Sequence, residues 1–251
     1  MSEAIQAFFR QLAEDSPRWN FIYLYDPEQG RRVIHGLGVT LELAVLCVFF
    51  SLIIGVVGAW MQGSRLGVAR RVVQGYIQFF RNTPPLVQLL FFYFGLGQFT
   101  PTYSQGGWLE VPIISNVGWA IISLSFFAGA FNVEIFRAGV EAVPESTVEA
   151  ADALGMSRLQ IYVYVILPLA FRVSLPSLNN NLVNLVKTTT QAMVIAVPEL
   201  LYQLISIYND YSTAQNACMV LMFVVYLVLV GVLVLGMHRW ERAIHIPGYG
   251  G

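Results

Sequence analysis

Four ionisable residues stand inside otherwise apolar stretches: Glu42, Glu134, Lys187 and Glu199. A charge at a membrane helix centre costs about 2.5 to 3.5 kcal/mol on the insertion scale, so each needs a polar partner, a cavity or an interface. The chemistry open to them is binding or proton relay. No catalytic residue is expected, because His35, His238 and His245 are scattered at segment ends and no nucleophile, triad or metal cluster is visible.

Lys187 is the sharpest of the four. It is the only lysine, and it shares a strongly polar half-helix with Asn180, Asn184, Thr188 and Gln191. Such a half must face water, protein or solute rather than lipid. A zwitterionic solute needs acceptors for its cationic end and donors for its anionic end, which Glu42, Lys187 and Asn184 would supply. A contact with a partner subunit would satisfy the same lysine equally well. Glu42 serves either a solute or a polar neighbour on another helix. Glu134 and Arg137, spaced i, i+3, can pair with each other. Glu199 follows Pro198, so it is expected at a helix break, where its carboxylate can take freed backbone donors.

The elements that position these residues follow from composition. Only 12% of the 251 residues are charged, against roughly 25% in an ordinary soluble domain, while 56% are hydrophobic and mean hydropathy is +0.61. This is the profile of a polytopic membrane protein. A net charge of -1 excludes a basic excess for tracking nucleic acid. Cys47 and Cys218 both lie in apolar runs, which suggests neither a disulfide nor a zinc site. Residues Met1 to Arg18 carry charges of both signs and no apolar core, so no cleavable signal is expected.

Charges used as fences give five expected spans of about 20 residues: 36–60, 83–99, 117–136, 182–204 and 214–237. These define a membrane domain over 36–240, with an external or interfacial segment at 1–35 and a cytoplasmic tail at 241–251. The loops at 61–82, 137–181 and 238–251 hold nine Arg, against four in the opposite set, all before the first span. The positive-inside rule therefore predicts the N-terminus outside and the C-terminus in the cytoplasm. Arg31 and Arg32, directly before the first span, conflict with it.

Outside the spans, Val68, Val72, Val73, Tyr76, Ile77 and Phe80 recur at helical spacing opposite Arg70, Arg71, Gln74 and Gln78, which predicts an amphipathic interfacial helix. Ile5, Phe8, Phe9 and Leu12 form a shorter version. The inner loop at 141–168 reads as two helices back to back. Ser146 to Glu149 forms one expected capping box, Gly155 fits the left-handed stop, Ser157 to Gln160 forms a second box, and Pro168 is expected to kink or end the second helix.

Within that loop, Glu149-Ala150-Ala151, Gly155 and Ile166-Leu167-Pro168 resemble the E-A-A signature of ATP-binding-cassette importer permeases. The resemblance extends in order along the chain. Arg81-Asn82-Thr83-Pro84-Pro85-Leu86-Val87-Gln88 is similar to the R-G-T-P-L-L-V-Q segment of the polar amino-acid branch (histidine, glutamine, glutamate and arginine types). Glu134 to Gly139 is similar to its E-I-F-R-G-G, and Lys187 to Thr190 with Val197 to Leu200 is similar to its K-D-T-S and V-P-E-L. Asn82 replaces the branch's Gly, and Thr188 replaces an Asp, which removes an acid beside Lys187.

The resemblance implies an all-α type I importer fold with five transmembrane helices, multi-pass in the bacterial cytoplasmic (inner) membrane. It implies a second permease subunit, identical or paralogous, two cytoplasmic ATP-binding subunits and an external solute-binding protein. Glu149, Ala150, Ala151, Gly155 and Pro168 would form the ATPase-coupling element. Asn82, Thr83 and Asn132 join Glu42, Glu134, Asn184, Lys187 and Thr188 along the candidate path of an amino-acid solute. No cofactor is expected on this chain, since it has no G-x-x-x-x-G-K-[ST] loop; ATP and magnesium belong to the partner ATPase. The rival expectation is an ion- or proton-coupled carrier that uses Glu42, Glu134 and Lys187 as its relay.

Overall fold

The computed structural model describes residues 3–16, 18–104, 106 and 110–244. His245 and the rest of the expected tail from 245 onward, like Met1, Ser2 and Pro17 of the N-terminal segment, lie outside the described residues. Helix α1 (Glu3–Asp15) and a single turn α2 (Ile22–Tyr25) lead into α3 (Pro27–Gln62). Asp26 sets the start of α3: its carboxylate accepts from the Glu28 N–H at 2.8 Å and the Gln29 N–H at 3.3 Å. Pro27 then occupies the first helical position, where a missing N–H costs nothing. At 1.5 Å per residue α3 is about 54 Å long, well beyond the roughly 30 Å hydrocarbon core.

Helix α4 (Gly67–Asn82) is the expected amphipathic element. It buries Val73, Ile77 and Phe80 and leaves Val68, Val72 and Phe79 exposed. The chain continues through α5 (Pro85–Leu90), a π turn (Phe91–Leu96) and a 3-10 turn (Gly97–Phe99). Two short antiparallel strands, β1 (Thr102–Ser104) and β2 (Glu110–Pro112), pair Tyr103 with Val111; they are a small exception to the all-helical expectation. Then come α6 (Asn116–Glu141), α7 (Glu145–Ala153), α8 (Arg158–Ile161), a π turn (Tyr162–Ile166), α9 (Leu167–Thr188), a 3-10 turn (Thr189–Ile195), α10 (Leu200–Asp210), a 3-10 turn (Ser212–Ala214) and α11 (Gln215–Ile244).

Among the described residues, four helical runs are long and apolar enough to cross a membrane: Pro27–Gln62, Asn116–Glu141, Arg158–Ile195 and Ser212–Ala243. Two boundaries differ from the sequence expectation. The stretch expected as a span over 83–99 is a shorter apolar helix, Pro85–Phe99, about 22 Å long at helical rise. The helix carrying Lys187 starts at Arg158 rather than 182 and stops at Ile195, so the expected span over 182–204 is two elements. Ala196 takes a left-handed conformation (φ 57°) between them, and Pro198 precedes the new helix α10.

The chain divides into two units, each described by itself. The first takes 1–46, 89–121 and 186–231. Its apolar core gathers Ile22, Leu200, Leu204, Ile207, Ala214 and Cys218. Arg32 is held by Asp210 (2.9 Å), Gln29 (2.9 Å), Gln203 (3.4 Å) and Ser206 (2.5 Å). Asn116 donates to the Ala196 carbonyl at 2.7 Å, satisfying an acceptor at the helix break.

The second unit takes 47–88, 122–185 and 232–251. Val73 and Ile77 of α4 pack with Val133 of α6, and the Tyr76 hydroxyl donates to the Phe126 carbonyl at 2.5 Å. Burial pushes the Tyr76 phenol well above its ordinary pKa. Small residues let the helices approach closely: a Cβ on Gly58 would overlap the Val133 side chain, and one on Gly139 would overlap Ser174.

Candidate functional site

The hairpin of α7 and α8 is built by two different end signals. Helix α7 ends in a Schellman motif, in which the Met156 N–H donates to the Ala151 carbonyl (3.3 Å) and the Gly155 N–H to the Asp152 carbonyl (2.8 Å). That geometry needs a left-handed residue, and Gly155 has φ +78°. The following helix opens on the expected second capping box: Ser157 accepts from the Gln160 N–H at 3.4 Å, and the Gln160 side chain accepts from the Ser157 N–H at 2.8 Å.

The expected first capping box is not formed. Pro144 occupies the N-cap of α7, with no side-chain cap, and the Thr147 N–H donates to the Pro144 carbonyl at 3.0 Å. Pro144 fixes the helix start early and draws Ser146 into the first turn, where it no longer stands at the cap. Glu145 now places a favourable negative charge in that turn. Pro168 does not end its helix. The chain inserts the π turn Tyr162–Ile166 just before it and resumes as α9 at Leu167, which accommodates a residue with no N–H for the ladder.

The hairpin presents its surface outward. Glu149, Ala150, Gly155 and Leu154 (83% exposed) face solvent, while Ala151 is buried. The arrangement is a stiff, bent unit with one apolar side chain at its tip.

The second unit also holds Asn82, Thr83, Asn132, Glu134 and Asn184. Asn82 donates to Gln78 at 2.9 Å, and Thr83 to the Phe79 carbonyl at 2.7 Å. Gln88, buried, donates to the Phe80 carbonyl (2.9 Å), the Thr83 carbonyl (2.9 Å) and the Thr83 hydroxyl (2.6 Å). It is the residue that ties the Arg81-to-Pro85 turn in place, and sequence reasoning missed it as a site residue. The available signal was one amide inside an apolar run four residues after Pro84.

Asn132 has no exposed surface; it donates to Ser51 at 3.2 Å and accepts from Asn181 at 2.8 Å. Glu134 accepts from Arg137 at 2.9 Å and lies 3.8 Å from Arg81, while Arg137 also forks onto Glu141 at 2.6 and 2.7 Å. Asn184 is exposed on α9.

Glu42, Lys187 and Thr188 belong to the first unit. Glu42 and Lys187 are exposed, and neither side chain has a hydrogen-bond or salt-bridge partner among the described residues. Thr188 is buried. Glu199 behaves as its position after Pro198 predicts. It is buried, caps α10 by accepting from Leu201 (2.8 Å) and Tyr202 (2.9 Å), and accepts from the Tyr226 hydroxyl at 3.0 Å. No group of three or more His, Cys, Asp or Glu suited to a metal occurs among the described residues. Cys47 and Cys218 are buried free thiols.

The described residues thus combine membrane-length apolar helices with an exposed hairpin. Comparison with known proteins gives the family. The model for "binding-protein-dependent transport system inner membrane component" matches residues 34–241, and the chain belongs to that family. The probable amino-acid ABC transporter permease PatM of Vibrio harveyi is 38% identical over 66% of this chain and 70% of its own. The histidine/lysine/arginine/ornithine transport system permease HisQ of Escherichia coli is 31% identical over 66% and 73%. A crystal structure of an amino acid ABC transporter with histidines superposes with a TM-score of 0.74 at 29% identity, covering 88% of this chain and 98% of that one. By kinship the chain is a non-enzymatic membrane component of a binding-protein-dependent transport system, and its relatives include amino-acid ABC transporter permeases.

Proposed function

We propose that this chain is the permease subunit of an ATP-driven importer of polar amino acids or close derivatives in the bacterial cytoplasmic membrane. It crosses five times, the short helix Pro85–Phe99 being one crossing, with the N-terminus outside and the C-terminus in the cytoplasm. It pairs with a second permease, two ATP-binding subunits and an external solute-binding protein. ATP and magnesium bind the ATPase. The solute moves by alternating access, and Glu42, Asn82, Thr83, Asn132, Glu134, Asn184, Lys187 and Thr188 are the candidates for its path.

The observation that carries this reading is the exposed hairpin. Glu149, Ala150 and Leu154 face outward on a helix whose end is locked by the Schellman motif, as a rigid docking lever requires. The carrier reading is weaker on the same geometry, because Glu134 is bound to Arg137 and lies near Arg81 and is poorly disposed to relay protons.

The test is uptake in proteoliposomes containing the permease pair with and without its ATPase and binding protein. Uptake should require ATP inside and the binding protein outside. Uptake driven by an ion gradient alone would overturn the assignment.

A further inference from the structure

In the second unit, a cavity of about 530 Å³ opens among Gln62, Arg70, Arg71, Gln74, Glu134 and Arg137, within the roughly 300–1,000 Å³ of small-molecule sites. Its charges are unbalanced. Arg137 is committed to Glu134 and Glu141. The guanidinium groups of Arg70 and Arg71 have no acidic or hydrogen-bonding partner among the described residues. Gln62 donates to Gln74 at 3.1 Å, but its own Oε1 is buried with nothing donating to it. The cavity therefore offers two free cations for an anion and one orphaned acceptor for a hydroxyl or ammonium on the same ligand.

Its position narrows the source. The cavity lies at Gln62, the last residue of α3, and at Arg137, in the last turns of α6, so it sits at the ends of two membrane-length apolar helices. The ends of membrane-length helices are where headgroups meet the protein. Along the same stretch of chain, Trp60 (72% exposed), Leu66, Val68 (74%) and Val72 are exposed apolar side chains, and Val56 and Val57 are exposed earlier on α3. A tryptophan and arginines close to a helix end match the composition of a bilayer interface.

We propose that this cavity binds the phosphodiester headgroup of an anionic phospholipid, Arg70 and Arg71 pairing with the phosphate and Gln62 Oε1 accepting from a headgroup hydroxyl. Basic pockets between helices on the inner side of membranes recognise such headgroups. The site depends on the chain being membrane-integral and not on what it transports, so its failure leaves the importer assignment untouched.

The experiment places the purified full-length protein in nanodiscs of phosphatidylcholine doped with phosphatidylglycerol, and measures lipids retained after extraction by native mass spectrometry. Wild-type protein should retain phosphatidylglycerol at least tenfold over phosphatidylcholine. The R70Q/R71Q double variant should lose that preference, whereas R65Q, at an exposed arginine outside the cavity, should keep it. Equal loss in R65Q would reduce the effect to general surface charge and overturn the site. Inorganic phosphate or glycerol 3-phosphate displacing the lipid at equal concentration would identify a free phosphate as the ligand and overturn the lipid assignment. Independently of any variant, photoactivatable phosphatidylglycerol should label the peptide from Trp60 to Gln74 in wild-type protein; labelling confined to other helices refutes the proposal.

Discussion

Replacing Gly155 with alanine isolates a single physical term. A Cβ built on Gly155 meets nothing within 4 Å, so no packing changes. The whole effect comes from holding an alanine at φ +78°, which costs roughly 1 to 2 kcal/mol. That cost falls on the Schellman closure, where the Gly155 and Met156 N–H groups hold the Asp152 and Ala151 carbonyls. Because about 1.4 kcal/mol is tenfold in an equilibrium constant, the closed hairpin should lose roughly 5- to 30-fold in stability against its frayed form. Amide hydrogen exchange at Gly155Ala and Met156 should quicken by that factor, while exchange in α3 and α6 stays unchanged. In the assembled complex, ATP hydrolysis stimulated by the loaded binding protein should fall, and membrane insertion should be intact. Gly155→Asn, whose side chain tolerates the left-handed region better, should recover much of both signals. Wild-type exchange in Gly155→Ala, or an asparagine variant as impaired as the alanine one, would show that the positive φ is not what fixes the bend.

Three further outcomes follow from the same geometry. Glu199→Leu strips the cap acceptor from α10 and leaves the Leu201 and Tyr202 N–H groups and the Tyr226 hydroxyl unpaired; it should cost about 2 to 4 kcal/mol, read as a lower thermal midpoint in detergent. Asn132→Leu removes buried bonds to Ser51 and Asn181 and should cost about 1 to 3 kcal/mol; an unchanged midpoint would mean the polar trio adds nothing to helix packing. Lys187→Ala should depress uptake while co-purification with the ATPase is retained, and an equal loss of assembly would assign the lysine to a subunit contact instead.

Some of this was written plainly in the chain. Gly155, the Ser157 box and the break marked by Pro198 each depend on chemistry within a few residues, and all three form. Charges and amides mattered differently. The span expected from 182 begins downstream of Arg172 and the Asn179-Asn180-Asn181 run. In the fold, Asn179 donates to Glu241 at 3.2 Å and Asn181 to Asn132, partners far away in sequence. Arg32 likewise finds distant partners: its guanidinium is bound by Asp210, Gln203 and Ser206 as well as by nearby Gln29. The missed Ser146 box was a contest between two adjacent local signals that Pro144 won. The cavity beside Arg70 and Arg71 combines residues from three helices, and no local spacing announces it.

The π turn before Pro168 has a geometric corollary. An α-helix advances about 100° per residue, and a π turn holds one residue more than an α turn. The five residues Tyr162–Ile166 therefore act as a phase offset between the hairpin and α9. Upstream, the phase is anchored by the Ser157 cap; downstream, it decides which way Asn180 and Asn184 point around the axis. Loss of one residue from this turn would leave composition and apolarity nearly untouched, yet it would swing the amide face by about a quarter revolution relative to the hairpin.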